Sequence, residues 1–207
     1  MNTPHLAELV IADAPERWEA LGFAVAGDAA QIGSVRVVFD PDAGSGIARW
    51  AIRGLEQAEL DGLPTVIANG SDPVPAPGRH PNGALSIDHV VAMTPDLDRT
   101  FAALERAGLD LRRVREATAP GGQPIGQGFY RLGEALLEVV GPDGRDADHP
   151  ASFWGLTVTV EDLDRCRRSL GELLGEPHDA VQPGRRIASV RRAAGLATAL
   201  AFMSPPS

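Results

Sequence analysis

The chain has 207 residues, 43% of them hydrophobic, which is enough for one large or two small domains with a core. Its net charge of −9 argues against nucleic-acid binding, which usually needs a basic face, and no apolar run approaches the ~20 residues that cross a bilayer. A single cysteine excludes an internal disulfide framework, and the absence of lysine excludes Schiff-base chemistry. The N-terminus lacks a positively charged segment ahead of an apolar stretch, so we expect a cytoplasmic protein without a signal peptide.

The N-terminal part of the chain shows an incomplete pattern of strands and one short helix. The helix is predicted from Pro15 to Leu21, before Gly22. Strands are predicted at 6–13 and at 30–40, and residues 46–56 resemble the start of a further unit that does not complete. We interpret residues 1–70 as a degenerate N-terminal module. Residues 71–84, rich in proline and glycine, are predicted to be a linker.

Residues 85–142 form the first complete unit. Its first strand is predicted from the alternation of Ile87, His89, Val91 and Met93 with smaller or polar residues. A helix should follow, with Thr94 as N-cap, Pro95 at its first position and Gly108 at its end. Three further strands are predicted, at 109–117, 127–133 and 135–141. The unit therefore reads β-α-β-β-β.

Residues 151–205 repeat this unit. The segment FWGLTVTVEDLDR at 153–165 matches IDHVVAMTPDLDR at 87–99, position for position and without a gap. A helix with an apolar stripe is predicted next, and later strands at 185–193 and 196–203. The stripe consists of Leu163, Cys166, Leu170 and Leu174. The two units differ at two polar positions of the first unit: His89 aligns with Gly155, and Glu138 aligns with Ala201.

Paired β-α-β-β-β units that carry DHVV, PDLDR and LEVVGP resemble the vicinal oxygen chelate superfamily, which includes glyoxalase I, bleomycin-resistance proteins and extradiol dioxygenases. The resemblance covers residues 85–205 and, through WEALGF, more loosely residues 5–60. It implies an α+β fold in which tandem modules form a cupped mixed sheet around a small-molecule pocket. The degenerate N-terminal module would be an addition to that fold.

The same resemblance implies where a metal would bind, since the superfamily takes its ligands from the first and last strand of each module. Those positions are His89 and Glu138 in the first unit and Gly155 and Ala201 in the second, so two of four ligands are present. The residues alone point to the same pair, because Glu138 lies in an apolar strand and a buried carboxylate needs a partner. An imidazole beside a carboxylate suits Zn²⁺, Fe²⁺, Mn²⁺, Ni²⁺ or Co²⁺. The cofactor prediction is therefore none, or one of these divalent metals.

Three interpretations of this pair stay open. Glu138 can be part of an ordinary buried polar network with His89, Arg131 or Arg115. The pair can be a degenerate metal site, although catalytic zinc normally has three protein ligands. It can also be a metal-free acid–base pair.

Further residues are candidates for contacts with a ligand. They are Arg131, Gln182, Arg186, Trp154 and His80. Gln182 with Arg185 or Arg186 can bind a carboxylate or phosphate, and Trp154 is next to Gly155. His80, in the loop before the first strand, can bend over the pocket. Each also has an ordinary explanation, such as the Pro-Asn-Gly turn that follows His80.

Three functions are consistent with these observations. The first is a glyoxalase-like protein that binds a small organic molecule above His89 and Glu138, without a complete metal centre. The alternative is a metal-dependent lyase or isomerase of the glyoxalase type that uses the same two residues. The third is a structural or regulatory protein whose N-terminal module seals the cup or mediates dimerisation. Expected partners are a small molecule and a second copy of the chain as a homodimer, not nucleic acid or a membrane.

Overall fold

A computed structural model of the protein describes residues 3–69, 79–118, 121–142 and 149–206. Most of the linker predicted at 71–84 lies outside these ranges. Within them the strands are β1 His5–Ile11, β2 Ala29–Ile32, β3 Val35–Phe39, β4 Ile47–Arg53, β5 Thr65–Ile67, β6 Ala84–Met93, β7 Leu111–Thr118, β8 Pro124–Leu132, β9 Ala135–Gly141, β10 Ser152–Val160, β11 His178–Asp179, β12 Arg186–Ser189 and β13 Ala199–Met203. The helices are α1 Pro15–Ala20, α2 Leu97–Arg106 and α3 Leu163–Leu170. None of these helices has the length and apolarity that a membrane crossing requires.

The strands form two mixed sheets. Sheet A has the order β2-β3-β1-β4-β5, and sheet B has the order β11-β12-β13-β10-β6-β9-β8-β7. Each half of sheet B is one β-α-β-β-β module, in which the first strand pairs in parallel with the last. The two modules meet where β6 and β10 pair in antiparallel fashion. The predicted α+β fold with tandem modules and a curled mixed sheet is therefore confirmed.

Sheet A is a shortened copy of sheet B. Its central pair, β1 and β4, is antiparallel, as are β6 and β10. On one side β3 pairs in parallel with β1, and on the other β5 pairs in parallel with β4. These pairings correspond to β9 on β6 and to β13 on β10. Residues 46–56, which we predicted to begin a unit that does not complete, provide β4.

One continuous apolar core joins the two sheets. Trp50 of β4 contacts Phe153 of β10, with ring centroids 4.9 Å apart, and Phe23 stacks on Phe202 of β13 at 5.8 Å. Burial of large side chains on both sides of this contact supplies the free energy that holds the N-terminal module in place. Polar links add to it, since the Asp61 carboxylate accepts a hydrogen bond from Arg99 of α2 at 2.7 Å.

The repeated PDLDR and EDLDR segments have a common structural role. Asp96 and Asp162 are the N-caps of α2 and α3, and their carboxylates accept hydrogen bonds from the backbone N–H of Arg99 and Arg165. The prediction of Thr94 as N-cap was wrong, because the cap lies two positions later. A carboxylate reaches the free N–H groups at the helix start, while the Thr94 hydroxyl accepts from the Asp96 N–H at 3.0 Å.

One strand boundary in the second module also differs from the prediction. The strand expected over 185–193 ends at Ser189, and residues 192–194 form a turn of 3₁₀ helix that closes at Gly195. Gly195 has φ of 74°, a left-handed conformation that glycine adopts at little cost. The shortened β12 still pairs with β13 and forms one wall of the cup.

Candidate functional site

The concave face of sheet B encloses a cavity of about 650 Å³. Because successive side chains of a strand point to opposite faces, alternate residues of several strands meet there. Most of the lining is apolar, and these residues are Val91, Met93, Ile125, Val140, Trp154, Leu156, Ile187, Val190, Ala199, Leu200 and Ala201. A cavity of this size with apolar walls suits a small organic molecule.

A second cavity of about 210 Å³ adjoins the first and is more polar. The two cavities share His89, Gln127 and Glu138. The rest of the second cavity is lined by polar side chains and by apolar ones, of which Ile187 also lines the first cavity. The polar residues are Arg115, His178, Asp179 and Gln182. We call His89, Gln127 and Glu138 the floor of the cup. A molecule on the floor would have an apolar region on one side and charged or amide groups on the other.

The imidazole and the carboxylate of the floor lie close together and away from solvent. His89 Nε2 is 3.7 Å from Glu138 Oε2, and the side chains are 11% and 15% exposed. Gln127 Nε2 donates a hydrogen bond to Glu138 Oε1 at 2.8 Å. Burial raises the pKa of the Glu138 carboxyl above its usual range, and the charge of Arg115, with that of His89 when its ring is protonated, offsets this only in part.

A bulge in β6 places Asp88 beside His89. His89 pairs with Thr157 of β10, and the next pair is Ile87 with Val158, so Asp88 is an extra residue on its strand. Asp88 Oδ1 consequently reaches His89 Nδ1 at 2.8 Å, although the two residues are consecutive.

Asp88 is an ionised group with several partners. Arg185 Nη2 lies 2.6 Å from Asp88 Oδ2, and the Thr159 hydroxyl donates to the same oxygen at 3.1 Å. Burial by itself raises the pKa of Asp88, but the hydrogen bonds from His89 and Arg185 and the charge of Arg185 outweigh it and lower the pKa to about 2. A carboxylate can only accept hydrogen bonds, so the proton of this contact belongs to His89 Nδ1. His89 Nε2, in turn, is 3.0 Å from the Thr157 hydroxyl.

Strand register supports the alignment of the two units. His89 pairs with Thr157, and Val91 pairs with Gly155. In the alignment of the two units, His89 corresponds to Gly155 and Val91 corresponds to Thr157. The pair of His89 with Thr157 therefore corresponds to the pair of Gly155 with Val91. Gly155 therefore occupies the position equivalent to His89. By the same register, Glu138 lies beside Val91 and Ala201 beside Thr157, which makes Ala201 the equivalent of Glu138.

The residues of the second unit do not fit a metal of the kind that the superfamily resemblance implies. A Cβ atom at Gly155 would lie 2.3 Å from the carbonyl oxygen of Ala199, so a ligating side chain cannot be placed there without moving β13. Ala201 offers only a methyl group. Throughout the described ranges there is no cluster of three or more histidine, cysteine, aspartate or glutamate residues that could hold a metal ion. His89 and Glu138 alone fall short of the three ligands typical of catalytic zinc.

The structure separates the other predicted site residues into two groups. Trp154 lines the large cavity and Gln182 the small one. Arg131, on β8, is exposed and outside both cavities. Arg186 lies on the opposite side of β12 from Ile187, which faces the cup, and its guanidinium pairs with Asp164 of α3 at 3.0 Å. Of the two neighbouring arginines, Arg185 is the one that reaches the site.

His80 lines neither cavity of the cup and has a structural role. Its Nδ1 accepts a hydrogen bond from the Ala24 N–H at 2.9 Å, and its Nε2 donates to the Gln31 carbonyl oxygen at 2.8 Å. Both ring nitrogens are therefore used to attach the loop before β6 to the N-terminal module. The sequence around His80 could not show this role, because both partners are distant from it in the chain.

Three residues of the site were not identified from the sequence: Asp88, Gln127 and Thr157. The signal for Gln127 was present, because it shares one face of a predicted strand with Phe129, two residues further along. No local pattern marks Asp88, since a regular strand would direct it away from His89.

The comparisons agree with this fold. Residues 9–108 match the family described as the glyoxalase-like domain, from β1 to just beyond the end of α2, so the match includes most of the module that we predicted to be degenerate. No curated protein matches the sequence.

Solved structures resemble the chain over most of its length. A variant of 4-hydroxymandelate synthase from Streptomyces coelicolor is similar with a TM-score of 0.62 and 16% identity, over 99% of this chain and 93% of that one. A xylose isomerase-like TIM barrel/4-hydroxyphenylpyruvate dioxygenase fusion protein gives 0.64 and 11%, over 98% and 49%. Methylmalonyl-CoA epimerase from Mycobacterium tuberculosis gives 0.47 and 18%, over 60% and 91%.

Fold and cup together define a protein in which two β-α-β-β-β modules form the curled sheet B, beside the shorter sheet A. Its fold is similar to that of the 4-hydroxymandelate synthase variant, and residues 9–108 match the glyoxalase-like domain, as the resemblance to the vicinal oxygen chelate superfamily predicts.

Proposed function

We propose that this protein binds a small, largely apolar organic molecule in the cup of sheet B, with a polar group of that molecule on the floor. The observation that carries this proposal is the cavity of about 650 Å³, whose apolar walls converge on a buried imidazole and carboxylate 3.7 Å apart. Ligand sites commonly combine apolar walls with a few convergent polar groups in this way.

The adjoining polar cavity extends the description of the ligand. Arg115 and Gln182 lie on the far side of Glu138 from the apolar walls. A guanidinium and an amide are suited to a carboxylate or another group rich in oxygen. The ligand class that fits both cavities has an aliphatic or aromatic body and a polar end.

A metal-dependent lyase or isomerase that uses His89 and Glu138 is the second candidate. One observation favours it, because Asp88 binds His89 through Nδ1 and leaves Nε2 towards the cup, as carboxylates commonly do for histidines that bind metals. The donor set argues against it, since Gly155 and Ala201 provide no ligands. We therefore place this function after metal-free binding and derive no reaction step from a metal.

A fluorescent probe tests binding in the cup. Anilinonaphthalenesulfonate, which has an apolar body and an anionic end, should bind the wild-type protein and fluoresce. An Ala201→Phe variant should lose this signal because the new ring fills the cavity that Ala201 lines. Ala102→Phe is the matched control, since Ala102 is exposed on α2. Equal binding by wild type and Ala201→Phe would contradict the proposal.

Metal content distinguishes the two candidates. Elemental mass spectrometry of freshly purified protein should find no stoichiometric divalent metal, in wild type or in a Glu138→Ala variant. Near-stoichiometric metal in the wild type that disappears in the variant would establish the second candidate in place of the first.

A purely structural protein would be favoured by a sealed cup. The cup of sheet B contains an open cavity instead, which does not favour that function.

A further inference from the structure

An ion pair and several hydrogen bonds hold the Asp88 carboxylate in one position. Its carboxylate binds Arg185 at 2.6 Å, and Arg185 is itself anchored because its Nε donates to the Ser204 carbonyl oxygen at 2.8 Å. The Arg185 Nη2 also donates to the Thr159 hydroxyl at 3.1 Å, and this hydroxyl donates onward to Asp88. Arg185 and Thr159 both contact Asp88 Oδ2, which leaves Oδ1 for His89 Nδ1.

This arrangement determines which ring nitrogen of neutral His89 carries the proton. Since the Asp88 carboxylate only accepts, the proton lies on Nδ1 and the lone pair lies on Nε2. The Thr157 hydroxyl, 3.0 Å away, donates to this lone pair. Glu138 Oε2, at 3.7 Å, is beyond the usual hydrogen-bond distance and leaves a gap beside Nε2 on the cavity side.

We infer that Asp88 is a positioning residue that makes His89 Nε2 the acceptor for a hydroxyl group of the molecule bound in the cup. The ligand class is thus an alcohol, phenol or enol with an apolar body. The inference rests on the proposed function, because it assigns the polar group of the ligand in the same cup. Nε2 has a single lone pair, so a ligand hydroxyl that approaches from the cavity takes the place of the Thr157 hydroxyl as its donor.

Nuclear magnetic resonance of the histidine rings tests the role of Asp88 directly. In protein labelled with the heavy nitrogen isotope, long-range proton–nitrogen correlations show which ring nitrogen is protonated. The signals of His89 are those lost in a His89→Gln variant. We expect the wild-type His89 proton on Nδ1. A proton on Nε2 in the neutral wild-type ring would overturn the inference.

The Asp88→Asn variant should reverse this tautomer. Arg185 and Thr159 both donate to Oδ2, so they should bind the carbonyl oxygen of the asparagine and turn its amide N–H towards His89 Nδ1. His89 must then accept at Nδ1 and carry its proton on Nε2. Asp164→Asn is the control, because Asp164 pairs with Arg186 on the opposite face. A purely structural Asp88 would leave the tautomer unchanged in both variants.

Two probes that differ by one methyl group test the ligand class. Phenol should bind the wild-type protein about tenfold more tightly than anisole, because only phenol can donate to His89 Nε2. Asp88→Asn should abolish this preference, and Asp164→Asn should retain it. Calorimetric titrations that are alike for phenol and anisole, whether both bind or neither does, would overturn the assignment of a hydroxyl ligand.

The failure of this inference can be told apart from failure of the proposed function. If anilinonaphthalenesulfonate binds the cup but the two probes behave alike, the cup binds small molecules and only the hydroxyl assignment is wrong. If the fluorescent probe does not bind the cup, the proposed function is wrong, and the tautomer of His89 still decides the role of Asp88.

Discussion

Asp88 and His89 are consecutive residues of β6, yet their side chains meet, with Oδ1 2.8 Å from Nδ1. On a regular strand these side chains would point to opposite faces of the sheet. The bulge opposite Thr157 brings them to the same side and so connects the floor of the cup to Arg185. One irregular residue pair thereby decides how the imidazole is presented to the cavity.

The ion pair of Asp88 and Arg185 should be strongly coupled. Both side chains are about a tenth exposed, so Arg185→Gln leaves a buried carboxylate short of its main partner and should cost about 3 kcal/mol. The double variant Asp88→Asn with Arg185→Gln should lose less than the sum of the single losses, by about 1 kcal/mol or more. Urea unfolding of the four proteins measures this coupling.

Arg186 and Asp164 provide the control cycle, since their contact at 3.0 Å joins side chains that are 43% and 56% exposed. Exposed pairs contribute at most about 1 kcal/mol. A coupling for Asp88 and Arg185 no larger than that of this surface pair would contradict the prediction.

Gly155 should not tolerate a side chain. In Gly155→Ala the new Cβ would lie 2.3 Å from the Ala199 carbonyl oxygen, so β10 or β13 must shift. We expect a loss of about 1–3 kcal/mol in the free energy of unfolding, as for other overpacked sites. Ala201→Val is the control, because Ala201 faces the open cavity and its variant should be nearly neutral. Equal stability of the two variants would show that the sheet adjusts freely at Gly155.

Stability should fall in acid because of His80. Burial lowers the pKa of His80 in the folded protein, and the hydrogen bond to Gln31 offsets this only in part. As the pH falls below about 6.5, the unfolded chain gains a proton that the folded protein does not take up. The contribution of this residue is therefore complete above that pH and is lost as the pH falls towards the lowered folded-state pKa.

Urea unfolding between neutral and mildly acidic pH checks this expectation. His80→Gln should be less stable at neutral pH, because it disturbs both hydrogen bonds, and its stability should depend less on pH. His178→Gln changes an exposed histidine and should retain the wild-type slope. An unchanged slope in His80→Gln would assign the acid sensitivity to other groups.

Cys166 should be unreactive in the folded protein. Its side chain lies in the core beneath α3, and burial, with a smaller effect from Asp162, raises the pKa of the thiol to about 12. Because the thiolate is the reactive form, a disulfide reagent at neutral pH should label the thiol only after unfolding. Ser45→Cys, at an exposed position, should react at once with one extra equivalent. Rapid labelling of the native wild type would contradict the burial of Cys166.

The sequence predicted the elements that depend on local periodicity and on repetition. Alternation along β6 placed His89 on an apolar face, the apolar run of β9 singled out Glu138, and the alignment of the two units identified their counterparts. The choice between Arg185 and Arg186 could not be made in the same way. Shifting the pairing of a strand by one residue exchanges its two faces, and the sequence of 185–193 does not fix how that strand pairs with β13.

Long-range contacts explain the other differences. His80 was predicted to contact a ligand, but it binds two backbone groups of the N-terminal module that no pattern around it reveals. Asp88 was overlooked because the bulge that turns it depends on how β10 pairs with β6. Such features are set by the packing of complete modules and not by any single segment.

The shortened form of sheet A limits how many molecules one chain can bind. Among the described residues, sheet A lacks counterparts of β7, β11 and β12. In sheet B these strands provide walls of the cup, with Arg115 on one side and Ile187 on the other. Sheet A therefore has no such walls among the described residues, and an ion pair of Glu8 and Arg36 at 3.1 Å lies on it near solvent. The central strand arrangement occurs twice in the chain, but only sheet B has the outer strands that form a cup. We therefore expect binding to saturate at one ligand per polypeptide.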